Sequence, residues 1–216
     1  ARGAESFHES SGGQARWLDR HLARLSAGCA FLGLGAPPEA EAVATFLAPH
    51  LPVSGTLHLT ALDGQLLART GPGPRPLPEP VTLALATSVV RASWSPLHRF
   101  KTLSYLENRR LHQEAEALGC FDVVALNEQG RLTDGGRTTL FLVQGDDILT
   151  PPEADGALPG IARAVLLTAG LVRESPLTPR DLAEADGVFL ANALRGVLPV
   201  RRDGRGRIEA SAERLR

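Results

Sequence analysis

A proline-rich segment sets the main limit on how this chain can fold. Residues 71–80 contain five prolines and two glycines. Proline has no backbone N–H to donate, and it disrupts helices and central strands alike. We therefore predict that this segment is a loop or a rigid spacer, and that regular elements lie before and after it.

The part of the chain before this loop contains two helical patterns and two strand patterns. Apolar residues at spacings of three and four predict an amphipathic helix over 15–25, with Asp19 as a candidate cap. Prolines and acidic residues predict the start of a second helix over 37–51. The strand predictions are 1–13, ending in a Gly-Gly hairpin turn, and 53–70, two strands around an Asp63-Gly64 turn.

The part after the loop alternates strands, turns and a few helices. Helices are predicted over 104–118, ended by Gly119, over 161–169, and within 176–186. The predicted strands are 81–90, 121–126, 131–134, 139–144, 148–150, 187–191 and one from 197 to 201, followed by an Asp203-Gly204 turn. Hairpins outnumber strand–helix–strand units, so the predicted fold class is α+β rather than a doubly wound sheet.

Composition argues against several classes of function. The net charge is −1, which gives no electrostatic reason to expect nucleic acid or an anionic membrane as a partner. No apolar run has the length of a transmembrane helix, and no secretory signal pattern opens the chain, so we expect a cytoplasmic protein. Cys29 and Cys120 lack metal-ligand spacing, and we expect free thiols and no metal site.

One lysine carries the strongest chemical signal. Lys101 is the only lysine, and the other 22 members of the 23 Lys+Arg are arginines. Arginine replaces lysine as a surface cation, but it cannot act as an amine nucleophile. A lysine can lose its proton when buried or placed near another cation, and can then form a Schiff base. The alternative interpretation is a surface lysine left over in an arginine-rich composition.

Four sequence blocks, in order, resemble the class IV aminotransferase family, the fold-type-IV pyridoxal-phosphate enzymes. They are LDRHLARL (18–25), FKTLSYLEN (100–108), GRLTDGGRTTLFLVQGDDILTPP (130–152) and ALPGIAR (157–163). A fifth block, FLANALRGVLPV (189–200), is similar to the last turn of that family near its cofactor. Within the family, the sequences KTLSYLEN and NALRGVLPV are most similar to the 4-amino-4-deoxychorismate lyase branch.

The resemblance implies a cofactor, pyridoxal 5′-phosphate, and a role for individual residues. Lys101 matches the lysine that forms the Schiff base and moves protons at Cα. Arg24 matches the arginine that binds the cofactor phosphate. Asp134 stands where the family has a glutamate that pairs with the pyridine nitrogen. The remaining implied cofactor contacts are Thr138, Thr139, Gly160, Ile161, Ala162 and Ala193, and the candidate substrate contacts are Tyr105, Asn192 and Arg195.

Several positions depart from the family pattern. Asp134 is one methylene shorter than the family's glutamate. Ala162 and Ala193 lack hydroxyls that bind phosphate in the family, a loss that could weaken cofactor affinity about ten- to a thousandfold. The N-terminal strand of the family, with its GDGxFET-like stretch, is expected to be short or missing, because residues 3–7 match it poorly.

The resemblance leaves three functional interpretations open. The first is a lyase that eliminates pyruvate and releases 4-aminobenzoate, a folate precursor, through the Lys101 Schiff base. The second is an aminotransferase acting on branched-chain or D-amino acids. The third, motivated by the departures at Asp134, Ala162 and Ala193, is a non-catalytic relative with weakened cofactor binding.

The resemblance also implies an architecture and an assembly. We expect a smaller N-terminal domain over 1–90, a linker over 91–99, and a larger C-terminal domain over 100–216. The cofactor would lie between the two domains. The expected partners are a small-molecule amino substrate and a second copy of the chain, as a homodimer.

Overall fold

The computed structural model describes residues 3–12, 14–62 and 64–201, and these residues form two units. The first unit contains the described residues of Ala1–Pro76, together with Phe100–Ser104 and Ala193–Arg195. The second contains Leu77–Arg99, Tyr105–Asn192 and the described residues from Gly196 onward. Within the described part, no helix has both the length and the apolar character that a membrane crossing requires.

The first unit is built on an antiparallel sheet covered on one face by helices. Its strands are β1 (Gly3–Ser11), β2 (Gln14–Ala15), β3 (Ser54–Leu62) and β4 (Gln65–Gly71), in the order β2-β1-β3-β4. Its helices are α1 (Leu18–Leu32) and α2 (Ala40–Leu47). Along β3, buried Leu57, Leu59 and Ala61 alternate with less buried residues, as expected for a strand with one face on the core. They pack with Leu22, Leu25, Cys29, Val43 and Leu47 of the two helices.

The expectation of a short or missing N-terminal strand is wrong. Strand β1 is nine residues long and pairs along its whole length with β3, from Gly3 opposite Leu62 to Ser11 opposite Ser54. The predicted hairpins are present as strand pairs, β1 with β2 and β3 with β4. Gly13 and Asp63 of their predicted turns lie outside the described residues.

Helix α1 begins later and runs further than predicted. The residue before it is Trp17, whose φ of 53° is left-handed, so the helix begins at Leu18 rather than at residue 15. Asp19 therefore lies in the first turn, where its charge suits the helix dipole, and the prediction that it caps the helix is wrong. The helix continues past residue 25 to Leu32, where Gly33 ends it in a left-handed conformation.

The second helix is shorter than the predicted span of 37–51. It covers Ala40–Leu47, and a short 3-10 helix, Ala48–His50, continues from its end. Pro49 has no backbone N–H to donate, which explains why regular α-helical hydrogen bonding does not extend through this segment. The proline-rich segment that follows β4 has no helix or strand between Gly71 and Pro80, as predicted.

The described residues of the second unit form two sheets and three α-helices. The three-stranded sheet is β5 (Leu83–Arg91), β6 (Asp122–Asn127) and β7 (Leu132–Gly135), in that order. The five-stranded sheet has the order β10-β9-β8-β11-β12, formed by β8 (Thr139–Gln144), β9 (Asp147–Thr150), β10 (Arg173–Glu174), β11 (Gly187–Asn192) and β12 (Gly196–Pro199). The helices are α3 (Leu106–Ala117), α4 (Ile161–Thr168) and α5 (Pro179–Glu184). The α+β class is therefore confirmed, and the predicted Asp203-Gly204 turn lies outside the described residues.

The limits of the two units differ from the predicted domain boundaries. Strand β5, predicted within the first domain, pairs in parallel with β6, with Leu83 opposite Asp122 and Arg91 opposite Asn127. It therefore belongs to the second unit, as does the segment 91–99 that was predicted to be a linker. In contrast, residues 100–104, predicted to open the second domain, belong to the first unit.

Candidate active site

Backbone hydrogen bonds to strand β1 fix the position of Lys101. The Glu5 N–H donates to the Lys101 carbonyl at 2.9 Å, and the Leu103 N–H donates to the Gly3 carbonyl at 3.0 Å. Ala4 and Thr102 form an antiparallel bridge between these bonds. Strand β2 pairs only with Ser10 and Ser11, at the other end of β1, so the edge beside Ala4 is open to this segment. Lys101 is thus held at a sheet edge by backbone hydrogen bonds.

The side chain of Lys101 forms an ion pair with Glu5. Lys101 Nζ lies 3.2 Å from Glu5 Oε1, and the two side chains are only 12% and 9% exposed. The other carboxylate oxygen, Glu5 Oε2, lies 3.2 Å from His58 Nε2. Burial alone would raise the pKa of Glu5, but the His58 hydrogen bond and the Lys101 charge outweigh it and leave this pKa lowered. Glu5 is therefore a carboxylate at neutral pH.

Glu5 is the functional candidate that sequence reasoning missed. It lies in the stretch 3–7, which matches the family's GDGxFET-like stretch poorly and was expected to belong to a short or missing strand. The available signal was an acidic residue two positions after Gly3, in a segment that precedes the helix carrying Arg24. Its partner Lys101 is 96 positions away in the sequence (101 − 5 = 96), so no local pattern could pair them.

The other predicted residues of the first unit lie on different elements. Arg24 is half-buried on α1, between buried Leu22 and Leu25. Ala193 and Arg195 belong to the short segment of this unit that comes from the end of the chain. The Arg195 guanidinium donates from Nη1 to the Arg75 carbonyl at 2.9 Å, which ties that segment to the proline-rich loop.

Asp134 is a buried carboxylate at the end of β7 in the second unit. Its Oδ2 accepts a hydrogen bond from the Leu158 N–H at 3.1 Å. Its Oδ1 is buried and has no hydrogen-bond partner among the described residues. The guanidinium of Arg91 faces this oxygen, with Nη2 3.7 Å from Oδ1, too far for a hydrogen bond. Burial raises the pKa of Asp134, and the Arg91 charge opposes this only in part.

The turn that connects Asp134 to β8 is organised by a second buried carboxylate, Asp122. Its oxygens accept from the N–H groups of Gly136 (3.0 Å) and Arg137 (3.2 Å) and from the Thr138 hydroxyl (2.6 Å). A Cβ at Gly135 would collide with this carboxylate, so the Gly-Gly pair leaves room for Asp122. Thr138 is a predicted cofactor contact, and its hydroxyl hydrogen is donated to Asp122 Oδ2.

Three of the implied cofactor contacts, Gly160, Ile161 and Ala162, lie at the start of α4. This helix begins at Ile161 with Gly160 as N-cap, and no side chain caps its first amides. A Cβ at Gly160 would lie 2.9 Å from Thr139 Oγ1, so glycine permits a close approach of the two segments. The structure therefore brings Thr139, Gly160 and the uncapped amides of Ile161 and Ala162 into one region.

The two remaining substrate candidates also lie in the second unit. Tyr105 immediately precedes α3, and its ring contacts the edge of His112 with centroids 6.5 Å apart. Asn192 donates from Nδ2 to the Arg137 carbonyl at 3.2 Å, at the turn that follows Asp134. Arg137 thus connects the end of β11 to the Asp122-centred turn.

These features fit pyridoxal phosphate. The buried Asp134 Oδ1, with no hydrogen-bond partner among the described residues, can accept from a protonated ring nitrogen. Gly160, the N-cap residue of α4, has no side chain to cap the helix, and the first amides of a helix suit a phosphate dianion. Lys101 supplies the amine. That these groups, which belong to two units, contact one cofactor molecule stays a prediction.

Comparison with known proteins identifies the family. The model of the family described as "Amino-transferase class IV" matches residues 7–202, so the chain belongs to the class IV aminotransferases, a family of enzymes that depend on pyridoxal phosphate. The chain is 35% identical over 92 residues to a Thermotoga maritima protein named "Probable branched-chain-amino-acid aminotransferase". That match covers 40% of this chain and 34% of the relative, so the chain spans about a third of that curated relative.

Solved structures share the fold over most of the chain. One, named "Putative 4-amino-4-deoxychorismate lyase", is 28% identical, with a TM-score of 0.80, and covers 99% of this chain and 89% of its own. Another is described as "a hypothetical aminotransferase from Mycobacterium tuberculosis, PLP-bound form". It has a TM-score of 0.79 at 22% identity, and the match covers 99% of this chain and 87% of that chain. The second likeness shows the fold alone.

Proposed function

We propose that this chain is a pyridoxal-phosphate-dependent lyase that acts on 4-amino-4-deoxychorismate and releases pyruvate and 4-aminobenzoate, a folate precursor. The observation that carries the proposal is the pairing of Lys101, the only lysine, with the buried carboxylate of Glu5. Lys101 is only 12% exposed and forms an ion pair with Glu5, so it is not a solvated surface lysine. Two observations support the lyase branch. The sequences of blocks 100–108 and 189–200 are most similar to it, and one structural relative is named as such a lyase.

The chemistry divides among residues of the two units. When bound, pyridoxal phosphate supplies a protonated ring that takes up the electron pair left at Cα when its proton departs. Asp134 would accept from the ring N–H and would keep that nitrogen protonated. With the cofactor bound, Lys101 would supply the amine that holds its aldehyde carbon, and the same amine would then accept the Cα proton of the substrate. The resemblance implies that Arg24, and separately the first amides of α4, would bind the phosphate.

The second candidate is an aminotransferase that acts on branched-chain or D-amino acids. It is supported by the Thermotoga maritima relative, whose name is that of a branched-chain-amino-acid aminotransferase. Both reactions begin with the same proton transfer from Cα to Lys101, so the residues named above serve either one. They differ in their products, which are pyruvate and 4-aminobenzoate for the lyase and a keto acid for the aminotransferase. Fold similarity does not separate them.

A product assay on the purified protein separates the candidates. We expect the protein with pyridoxal phosphate to convert 4-amino-4-deoxychorismate to 4-aminobenzoate and pyruvate in equal amounts, and Lys101→Ala to produce neither. Amino-group transfer from branched-chain or D-amino acids to a keto acid, without 4-aminobenzoate, would replace the lyase by the aminotransferase. If a well-folded protein forms no product in either assay, the non-catalytic relative becomes the better account.

We further propose that the protein acts in the cytoplasm as a homodimer on a small-molecule amino substrate. Class IV membership supports an amino substrate. Dimerisation follows from the resemblance, and we expect sedimentation at micromolar concentration to give twice the chain mass of 22.9 kDa. A single species of one chain mass across that range would contradict it.

A further inference from the structure

The sheet of the first unit carries a row of polar side chains opposite its helix-covered face. On β3, His58 and Thr60 alternate with buried Leu57 and Leu59 and so point away from the core. Glu5 on β1 is the cross-strand partner of Thr60, and Arg69 on β4 is the partner of His58. Cross-strand partners share a face, so three adjacent strands present Arg69, His58 and Glu5 together.

The hydrogen bonds in this row have a defined direction. Arg69 Nη2 lies 3.3 Å from His58 Nδ1, and an arginine can only donate. His58 Nδ1 therefore accepts, and in a neutral ring the proton must lie on Nε2. That nitrogen lies 3.2 Å from Glu5 Oε2 and 3.3 Å from Thr60 Oγ1. His58 Nε2 consequently donates toward the Glu5 carboxylate, while Arg69 donates to the other ring nitrogen, Nδ1, and so orients the ring.

Both oxygens of Glu5 are thereby occupied. His58 holds Oε2, and Oε1 faces Lys101 Nζ at 3.2 Å. Glu5 is also held by its backbone, because its N–H donates to the Lys101 carbonyl. The carboxylate therefore has little freedom to rotate. Its Oε1 atom is held in one position, and the Lys101 amine pairs with that atom. A side chain with as many rotatable bonds as lysine needs such a restraint to present its nitrogen at a fixed point.

We propose that Glu5 is a positioning residue for the Lys101 amine, and that His58, oriented by Arg69, holds Glu5 in that role. The inference rests on the proposed function, because it assumes that the Lys101 amine is the reactive group. It adds that the chain uses a strand-borne Arg69–His58–Glu5 row to aim that amine before any ligand binds. Loss of the row should leave the lysine present but mobile.

The single lysine permits a direct measurement on the cofactor-free protein. Growth with ¹³C,¹⁵N-lysine labels only Lys101, because no other lysine occurs in the sequence. The two Hε protons of a fixed lysine lie in different surroundings and give two NMR signals, whereas free rotation averages them to one. We expect two well-separated Hε signals in the parent protein at neutral pH.

Three variants and one control test each member of the row. Glu5→Gln keeps the shape of the side chain but removes its charge, and we expect its Hε signals to merge. His58→Phe removes both ring nitrogens and should also merge them, while Arg69→Gln should reduce their separation. His50→Phe, at an exposed histidine of the same unit, should leave two signals as in the parent. Backbone amide spectra report whether each variant is folded.

The outcomes separate this inference from the proposed function. Averaged signals in the parent, or unchanged signals in folded Glu5→Gln, would overturn the positioning role of Glu5. Unchanged signals in His58→Phe, or equal merging in His50→Phe, would overturn the role of His58. No cofactor enters this spectrum, so such results leave the product assay untouched. Conversely, separated signals in a protein without product would overturn the proposed function alone.

Discussion

At the scale of single residues, Asp134 combines functional fit with a cost to stability. Its carboxylate is buried, one of its oxygens has no hydrogen-bond partner among the described residues, and the Arg91 guanidinium lies 3.7 Å away. A buried charge that is incompletely paired opposes folding. Functional sites commonly contain such groups, because the missing partner is supplied by the ligand.

We predict opposite effects of Asp134→Asn on stability and on activity. Burial raises the pKa of Asp134, so ionising it in the folded protein costs free energy, and this penalty grows as pH rises through that pKa. In the cofactor-free protein, Asp134→Asn should leave the free energy of unfolding unchanged or raise it by about 1–2 kcal/mol at neutral pH. Turnover should fall by about a hundredfold or more, because an amide cannot keep the ring nitrogen protonated.

Urea unfolding from pH 5 to 8 and steady-state assays measure the two effects. Asp134→Glu is the control, since it keeps the charge and should retain turnover better than Asp134→Asn. A large loss of stability in Asp134→Asn at neutral pH, with activity retained, would show that Asp134 is a structural residue.

At the scale of elements, the start of α4 depends on glycine at position 160. A Cβ there would lie 2.9 Å from Thr139 Oγ1 on β8, so the Thr139 side chain, the helix or the strand must shift. We predict that Gly160→Ala lowers the free energy of unfolding by about 1–3 kcal/mol and weakens binding of pyridoxal phosphate. Adding Thr139→Ala removes the colliding oxygen and should restore part of the lost stability. The coupling free energy between the two substitutions should be about 0.5–2 kcal/mol.

A double-mutant cycle in urea, with cofactor titration of each variant, checks this prediction. Gly73→Ala is the matched control, because a Cβ at that position would lie 4.0 Å from its nearest neighbouring atom. Additive losses in Gly160→Ala and Thr139→Ala would contradict a steric origin.

A carboxylate clamp joins α3 to the irregular part of β5. Glu114 accepts from the N–H and hydroxyl of Thr87, both at 2.7 Å, and from the N–H (3.1 Å) and hydroxyl (2.6 Å) of Ser88. These residues lie where the β5–β6 register shifts, between Leu85 and Val90. The clamp therefore fixes the strand that ends at Arg91, the cation facing Asp134.

We predict that Glu114→Gln destabilises the protein in a pH-dependent way. Burial raises the pKa of Glu114 somewhat, but the four hydrogen bonds lower it to about 2, below its ordinary value of 4.5. Its stabilisation is therefore complete above about pH 4.5 and is lost as pH falls toward 2. At pH 7 the variant should lose about 1–2 kcal/mol of unfolding free energy, allowing for solvent screening.

Unfolding free energies measured at several pH values check both the direction of the stability change and the pH range in which it is lost. Glu116→Gln, an exposed residue of the same helix, is the control and should change the free energy of unfolding little at any pH. An equal deficit for Glu114→Gln at pH 3 and pH 7 would contradict the hydrogen-bond origin.

Local patterns predicted most elements but not their exact limits or contacts. The alternation and turn signals of 121–150 gave strands β6 to β9, because each is bounded by its own turn residues. Helix α1 was misplaced because a left-handed Trp17 is not recognisable from composition. The two-residue β10 was missed because it has no periodicity of its own and exists only by pairing with β9.

At the scale of the whole molecule, the chain crosses between its two units more often than its sequence suggests. Residues 100–104 and 193–195 belong to the first unit although their neighbours in sequence belong to the second. Which sheet a segment joins depends on contacts distant in sequence, as with Lys101 and β1, and composition does not encode these. The predicted site residues came from a family resemblance, while Glu5, His58 and Arg69 became candidates only through strand pairing.

The central claim is that Lys101 binds pyridoxal phosphate covalently, and the sole lysine makes it testable in one measurement. The protein is mixed with pyridoxal phosphate, its visible absorbance is recorded, and borohydride is added before peptide mapping. We predict a visible band that borohydride bleaches, with the reduced cofactor on the peptide containing Lys101, and no band in Lys101→Arg. A folded parent protein that gives no band at saturating cofactor, or cofactor attached elsewhere, would contradict the account.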